Sequence, residues 1–463
     1  MMSTDLTRPQ SRLSILWHLS WPAIIEQILS TMVSYVDTAM VGVLGANATA
    51  AISINTTSIW LINGILTGIG VGFSVQISHA IGARDDEKAR AVLRQTVLAV
   101  IVCGLVALGL FQILAGYIPL WLGAKPDVLP GAISYLRFYT LGMPFVAASI
   151  VFSSVLRCMG NTKAPLIFNT VANLINVFLN FFLIYETRSV NLGGVMVTMP
   201  GAGLGVAGAA IASAVAWAFA GIVTLFFSMR QGDRFRITRQ QSFKPDKQIL
   251  KEAVRLGLPS AIERATVNLG QIAMTRVVAS IGTIALAANT IATTAEGLCY
   301  LPAFGISYAA TALVGQSVGA KNKEDAEGYG SLSAIIGFVL CVVTGALLFL
   351  LARPLASLFN SDLRVVEETA KVLRIVAFCE PFFAVSIILT GALRGVRDVR
   401  FPVGVSLVCM WGVRIVLAPI FVFGFQMGLS GVWLAMSIDL ILRGLACIVR
   451  WKQGKWKHKC GFE

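Results

Sequence analysis

WPAIIEQILSTMVSYVDTAMVGVLG (Trp21–Gly45) and LPSAIERATVNLGQIAMTRVVASIG (Leu258–Gly282) are two copies of one membrane-length segment. Pro22 and Glu26 of the first meet Pro259 and Glu263 of the second at an offset of 237 residues. Working outward, the offset holds: Gly45, Gly82, Pro144, Arg157 and Pro165 recur as Gly282, Gly319, Pro381, Arg394 and Pro402. It slips only after Tyr185, where Glu186–Pro200 has no counterpart, so that Gly208 pairs with Gly431. The chain is two copies of one unit.

Composition says what the unit is. With 56% hydrophobic residues, 13% charged residues and a mean hydropathy of +0.77, the chain exceeds what a soluble domain tolerates. Only helices or closed barrels satisfy their own backbone groups in lipid, and the long apolar runs decide for helices. Spans are expected near residues 14–44, 50–80, 94–118, 133–156, 165–185 and 202–229, then 250–280, 287–316, 331–352, 372–393, 402–424 and 429–450. An even number per half returns each half to its starting side. The expected fold is therefore an all-α polytopic membrane protein, twelve transmembrane helices in two parallel-related six-helix lobes. The divisions are 1–229 for the first lobe, 230–248 for a basic linker, 249–450 for the second lobe and 451–463 for a basic tail.

The net charge of +14 is a topology signal and needs no nucleic acid. Arg8 and Arg12 precede the first span, Arg84, Lys88, Arg90 and Arg94 follow the second, Arg230–Lys247 joins the halves, and Lys452, Lys455, Lys457 and Lys459 close the chain. Both termini are thus expected in the cytoplasm of a multi-pass inner-membrane protein. The alternate loops LGANATA (Leu44–Ala50) and SIGTIAL (Ser280–Leu286) carry no Lys or Arg. The eight cysteines have no CxxC spacing and read as small apolar residues. GAGLGVAG contains GxGxxG at Gly203, Gly205 and Gly208, but without an expected strand before it the reading is helix packing. The sequons at Asn47 and Asn55 sit at or inside a span. His18, His79 and His458 are far apart, with no HExxH and no paired Asp motif, so an intramembrane enzyme is not expected. No GxxxxGK[ST] supplies ATP energy and no cofactor is implied.

The residues also carry a resemblance. VDTAMVG (Val36–Gly42), Val155–Tyr185, Leu256–Ala292, Ala312–Ala326 and Leu389–Pro402 resemble, in order, the segments of the MATE family, the multidrug and toxin extrusion antiporters. The resemblance covers essentially the whole chain. It implies a central cleft between two lobes and export of organic cations driven by H+ or Na+ entry, the gradient replacing ATP. One chain holds both halves of the transport unit, so a functional monomer is expected, its partners being the lipid bilayer and a small cationic or amphipathic substrate.

Acidic residues within spans are costly and therefore informative. Asp37 is the first candidate: its repeat-mate is Met274, so the shared architecture does not require an acid there. In the family the matching aspartate couples ion to substrate, and proton, Na+ and cationic drug could compete for this one carboxylate. Asn173, Asn176 and Asn180 stand at spacings of three and four on one helix face and offer amide oxygens to an ion. Some family members carry an aspartate at the position of Asn180, so a two-acid relay is not carried over. Glu26 and Glu263 are repeat-mates and secondary candidates, with a structural task as plausible as a functional one. Arg276 and Glu296 could form an intramembrane pair, and Glu380 lies before Pro381. Sodium-coupled members place an acid eight residues after the seventh-span proline, where this chain has Val267. Tyr35, Trp60, Met32 and Met274 could line an adaptable cavity. The rival transport reading is a flippase or exporter of lipid-linked or other amphipathic substrates; a membrane-integral scaffold would not explain Asp37.

Overall fold

The computed structural model describes residues 11–192, 195–230 and 244–462; Arg8 and residues 231–243 of the expected linker lie outside them. The first half contains α1 (Arg12–Gly42), α2 (Ala46–Gly82), α3 (Asp86–Leu114), α4 (Leu129–Leu141), α5 (Met143–Cys158), α6 (Lys163–Leu183) and α7 (Gly205–Met229). The second half repeats them as α8 (Lys247–Ile281), α9 (Thr283–Gly319), α10 (Lys323–Leu350), α11 (Leu363–Ala377), α12 (Glu380–Gly395), α13 (Arg400–Gly424) and α14 (Gly428–Lys452). Ser11, Asp85, Asp246 and Asn322 start α1, α3, α8 and α10 by accepting backbone N–H groups that the first turn leaves unpaired.

The pairs α4–α5 and α11–α12 are single spans broken at corresponding places, bent by 54° and 55°. Pro144 and Pro381 stand in the first turn of α5 and α12, where a missing N–H is harmless but beyond which the preceding helix cannot continue straight. Counting each pair once gives twelve membrane-length units among the described residues. Ten are apolar enough to cross a bilayer by composition; α1 and α8 are not. The reason is local: Glu26, Gln27, Ser30, Ser34, Asp37 and Thr38 of α1 line a cavity, while α8 carries Glu263, Arg264 and Arg276.

The repeat reaches the backbone. Positive φ occurs at Gly45 and Gly282, at Arg84 and Lys321, and at Gly160 and Arg397, each pair 237 residues apart. After the slip, Gly203 and Gly205 match Gln426 and Gly428 in the same way. The segment without a counterpart is a two-stranded antiparallel hairpin, β1 (Glu186–Leu192) and β2 (Val195–Ala202), a small addition to the all-α expectation. A strand thus does precede the GxGxxG, contrary to the sequence reading, but in a hairpin rather than a βαβ unit. Gly208 serves packing: a Cβ there would fall on the Leu183 carbonyl.

The halves exchange partners. α1 packs along α9, and its repeat-mate α8 packs along α2. Gly68 meets Ala261 and Gly305 meets Ile24, the same contact made twice about a pseudo-two-fold axis. At one end of the bundle Gly82 lies against the Gln316 carbonyl and Gly319 against that of His79, each too close to admit a Cβ. His79 Nε2 donates to Gly395 O at 2.7 Å, and Gln316 Nε2 donates to Cys158 O at 2.8 Å. His79 and Gln316 are repeat-mates, as are Cys158 and Gly395. These paired contacts form a closed seam at the end that carries Arg84 and Lys321. Beyond α14, the short helix Lys455–Lys459 folds back, with Trp456 buried and stacked on Trp451 at 4.9 Å. All eight cysteines are free, and Asn55 is buried with its amide donating to Ala132 O at 2.8 Å, which removes it as a glycosylation acceptor.

Candidate functional site: a cavity between the halves

A cavity of about 1160 Å³ lies between the halves, walled by α1, α2 and α4–α7 from the first and by α8, α9 and Arg394 of α12 from the second. Along α2 its lining runs from Thr49 to Ser74 and stops short of the seam at His79 and Gly82; along α9 it runs from Thr290 to Thr311. Its polar stripe on α1 follows helical spacing, Ser30, Ser34 and Asp37.

Asp37 meets two of the three asparagines of the ladder. Asn180 Nδ2 donates to Asp37 Oδ1 at 2.8 Å. With its amide nitrogen toward the carboxylate, Asn176 donates to both oxygens of Asp37 at 2.7 and 2.9 Å, while its oxygen accepts from Ser213 Oγ at 3.2 Å. This orientation satisfies both ends of the amide. Asn176 and Asn180 are buried, Asp37 is half-buried, and Asn180 Oδ1 is a buried acceptor with no partner. Asn173 lines the same wall. A carboxylate fixed by neutral amides, without a basic partner among the described residues, keeps its charge available to a mobile cation.

Glu26 and Glu263 have other work. Arg157 Nη2 donates to Glu26 Oε1 at 2.6 Å, and Asn169 Nδ2 does so at 2.6 Å; Arg394 Nη2 donates to Glu263 Oε2 at 2.8 Å. Because Arg157 and Arg394 are themselves repeat-mates, each half builds the same ion pair. In each half the acid of this pair stands four residues after the proline of the first helix. Arg157 also lies over the Tyr308 ring at 4.4 Å, tying the first-half pair to α9.

The expected Arg276–Glu296 pair does not form. Arg276 is exposed near the end of α8, while Glu296 is 6% exposed and faces Arg414 instead. Of the adaptable residues, Tyr35 and Trp60 line the cavity; Met274 is packed in the second-half core and Met32 is exposed outside the lining. Arg264 was missed: it stands on the cavity wall beside Phe304, 5.6 Å from the ring centroid. Its sequence signal was its place directly after Glu263, on the helix that mirrors the cavity-lining α1.

Comparisons with known proteins agree with this architecture. The MatE profile matches residues 22–182 and 259–420, two matches that begin 237 residues apart. Relatives include a probable multidrug resistance protein NorM of Thermotoga maritima, 28% identical over 95% of this chain and 92% of its own. The uncharacterized transporter YisQ of Bacillus subtilis is 26% identical over 99% and 98%. Among solved structures, an outward-facing multidrug resistance MATE family transporter superposes with a TM-score of 0.88 at 22% identity, over 96% of both chains. A MATE in a bent conformation gives 0.87 over 98% of both, also at 22% identity. With two matches spanning most of its length and this fold, the chain belongs to the MatE family of membrane transporters.

Proposed function

We propose that the chain is a secondary antiporter of the cytoplasmic membrane that exports organic cations in exchange for H+ or Na+ by alternating access, working as a monomer. Asp37 carries this reading: a half-buried carboxylate on the wall of a cavity enclosed by both halves, held by two asparagines beside an unpartnered amide oxygen. A proton, a sodium ion or an organic cation can each neutralise it, and two of them cannot do so together. Competition for one carboxylate is sufficient for exchange. The relatives' names support multidrug substrates, and Tyr35 and Trp60 offer aromatic faces to cations. The positive charges around Arg84 and Lys321 support a cytoplasmic position for the seam, so the cavity is the outward-facing state. Domain limits at 230–248 and 451 remain part of this proposal.

Arg264 supports the second reading, an amphipathic anionic or lipid-linked substrate. The other two wall arginines are neutralised by Glu26 and Glu263, and Arg264 has no carboxylate in an ion pair with it among the described residues. Transport of ethidium by purified protein in liposomes under separate proton and sodium gradients decides between them. Wild type is expected to move the dye against one gradient, and folded Asp37→Asn to move none. Ethidium that no gradient drives would replace cation antiport by the anionic reading; an active Asp37→Asn would remove Asp37 from the site.

A further inference from the structure

The second half contains a buried charge cluster that takes no part in the cavity. Asp439, fully buried on α14, accepts from Arg443 Nε at 2.6 Å and forms an ion pair with Arg414 Nε at 2.7 Å. Arg414 lies in a π-helical stretch of α13, Val408–Arg414, and also faces Glu296 of α9. Glu296 is also within electrostatic reach of Glu380, the first residue of α12. Glu380 is 0% exposed, and neither of its carboxyl oxygens has a hydrogen-bond partner. Around it stand Cys299 and Tyr300 of α9, Cys341 of α10 and the preceding Cys379.

The fold does not need these charges. At the repeat offset, Glu296, Glu380 and Arg414 stand opposite Ile59, Met143 and Val177; after the slip, Asp439 and Arg443 stand opposite Ala216 and Ala220. The later register is secure in the packing, since Gly221 lies against Phe145 and its mate Gly444 against Phe382. The first half therefore builds the same place from five apolar residues.

Three carboxylates face two guanidiniums. If all were ionised, one negative charge would stay buried without compensation, which is far more costly than binding a proton. The surplus belongs to Glu380. The N-terminal dipole of α12 would favour an anion, but it acts through backbone N–H groups and neither Glu380 oxygen accepts one. We propose that Glu380, with Glu296 as its electrostatic neighbour, is a second proton-binding site within the second half, outside the substrate cavity. The transporter then binds a proton there in addition to whichever ion Asp37 takes. The inference rests on the charge count and not on cation antiport, so it stands or falls independently of that reading.

Infrared difference spectra of purified protein between acidic and alkaline buffer test it through the stretching band of protonated carboxyl groups. Glu380→Gln, a neutral isostere, is expected to fold, to melt at about the wild-type temperature in acidic buffer and to lose one protonated-carboxyl band that Asp37→Asn retains. The double variant Glu296→Gln with Glu380→Gln leaves two guanidiniums facing one carboxylate and is expected to melt below either single variant. A spectrum unchanged by Glu380→Gln overturns the proposal. So does failure of Glu380→Gln to fold in acidic buffer, where the native side chain is held to be equally neutral, or a double variant as stable as the singles.

Discussion

Asp37 and Glu26 lie eleven positions apart on α1 and face the same cavity, yet their surroundings assign them different work. Asp37 is held by neutral amides; Glu26 is matched by a guanidinium with both partners below a tenth exposed, at 5% and 9%. Removing one member of such a pair strands the other, so Glu26→Gln is expected to destabilise the protein by roughly 3 to 5 kcal/mol. Glu263→Gln should cost less, because that pair is 13% and 12% exposed and water can reach it. Thermal unfolding in detergent measures both, and equal losses would contradict the difference in burial. At this scale the sequence was half legible. The contrast of Asp37 with Met274 exposed a residue the fold does not demand. The Glu–Arg pairs were hidden because their members lie 131 residues apart, although each member had been recognised as half of a repeat. The sequence offers Arg276 of the preceding helix as a partner for Glu296; the charges that act on it come from α12 and α13, and no local spacing announces them.

Elements were the most legible level, since apolar runs and prolines report directly on helix length and breaks. The hairpin is invisible to the repeat because it has no counterpart in the second half; its signal is local, two adjacent glycines at 193 and 194 in the sequence. The crossing of α2 and α9 depends on glycine at Gly82 and Gly319, where a side chain would meet a carbonyl of the other helix. Gly82→Val is therefore expected to hold the seam apart. Ser78→Cys, placed in a background without native cysteines, should react faster with a water-soluble maleimide when Gly82→Val is present. An unchanged labelling rate would mean that the seam does not depend on this contact. The hydrogen bonds beside it are interchangeable in principle, because Gln316 does for Cys158 what His79 does for Gly395. His79→Gln is expected to retain most transport and His79→Ala to lose a substantial part; a loss as large in His79→Gln would show that the imidazole has a task beyond the bond.

For the whole molecule, the cavity draws its wall from both halves of one chain. Vesicles prepared with at most one chain each should therefore transport at the same rate per chain as crowded ones, and a rate that collapses on dilution would require an oligomer. The two halves share a backbone but not a charge pattern: the first keeps Asp37 on the cavity wall, while the second buries Glu296, Glu380 and Asp439 away from it. The seam has an energetic consequence. It consists of glycine contacts and two hydrogen bonds, each worth about 1 kcal/mol net. Two such bonds bias the closed over the opened end by only ~30-fold, tenfold arising from each 1.4 kcal/mol. A ligand that prefers one state by a few kcal/mol is enough to reverse that ratio, so the balance between the two faces can be governed by whatever occupies the cavity.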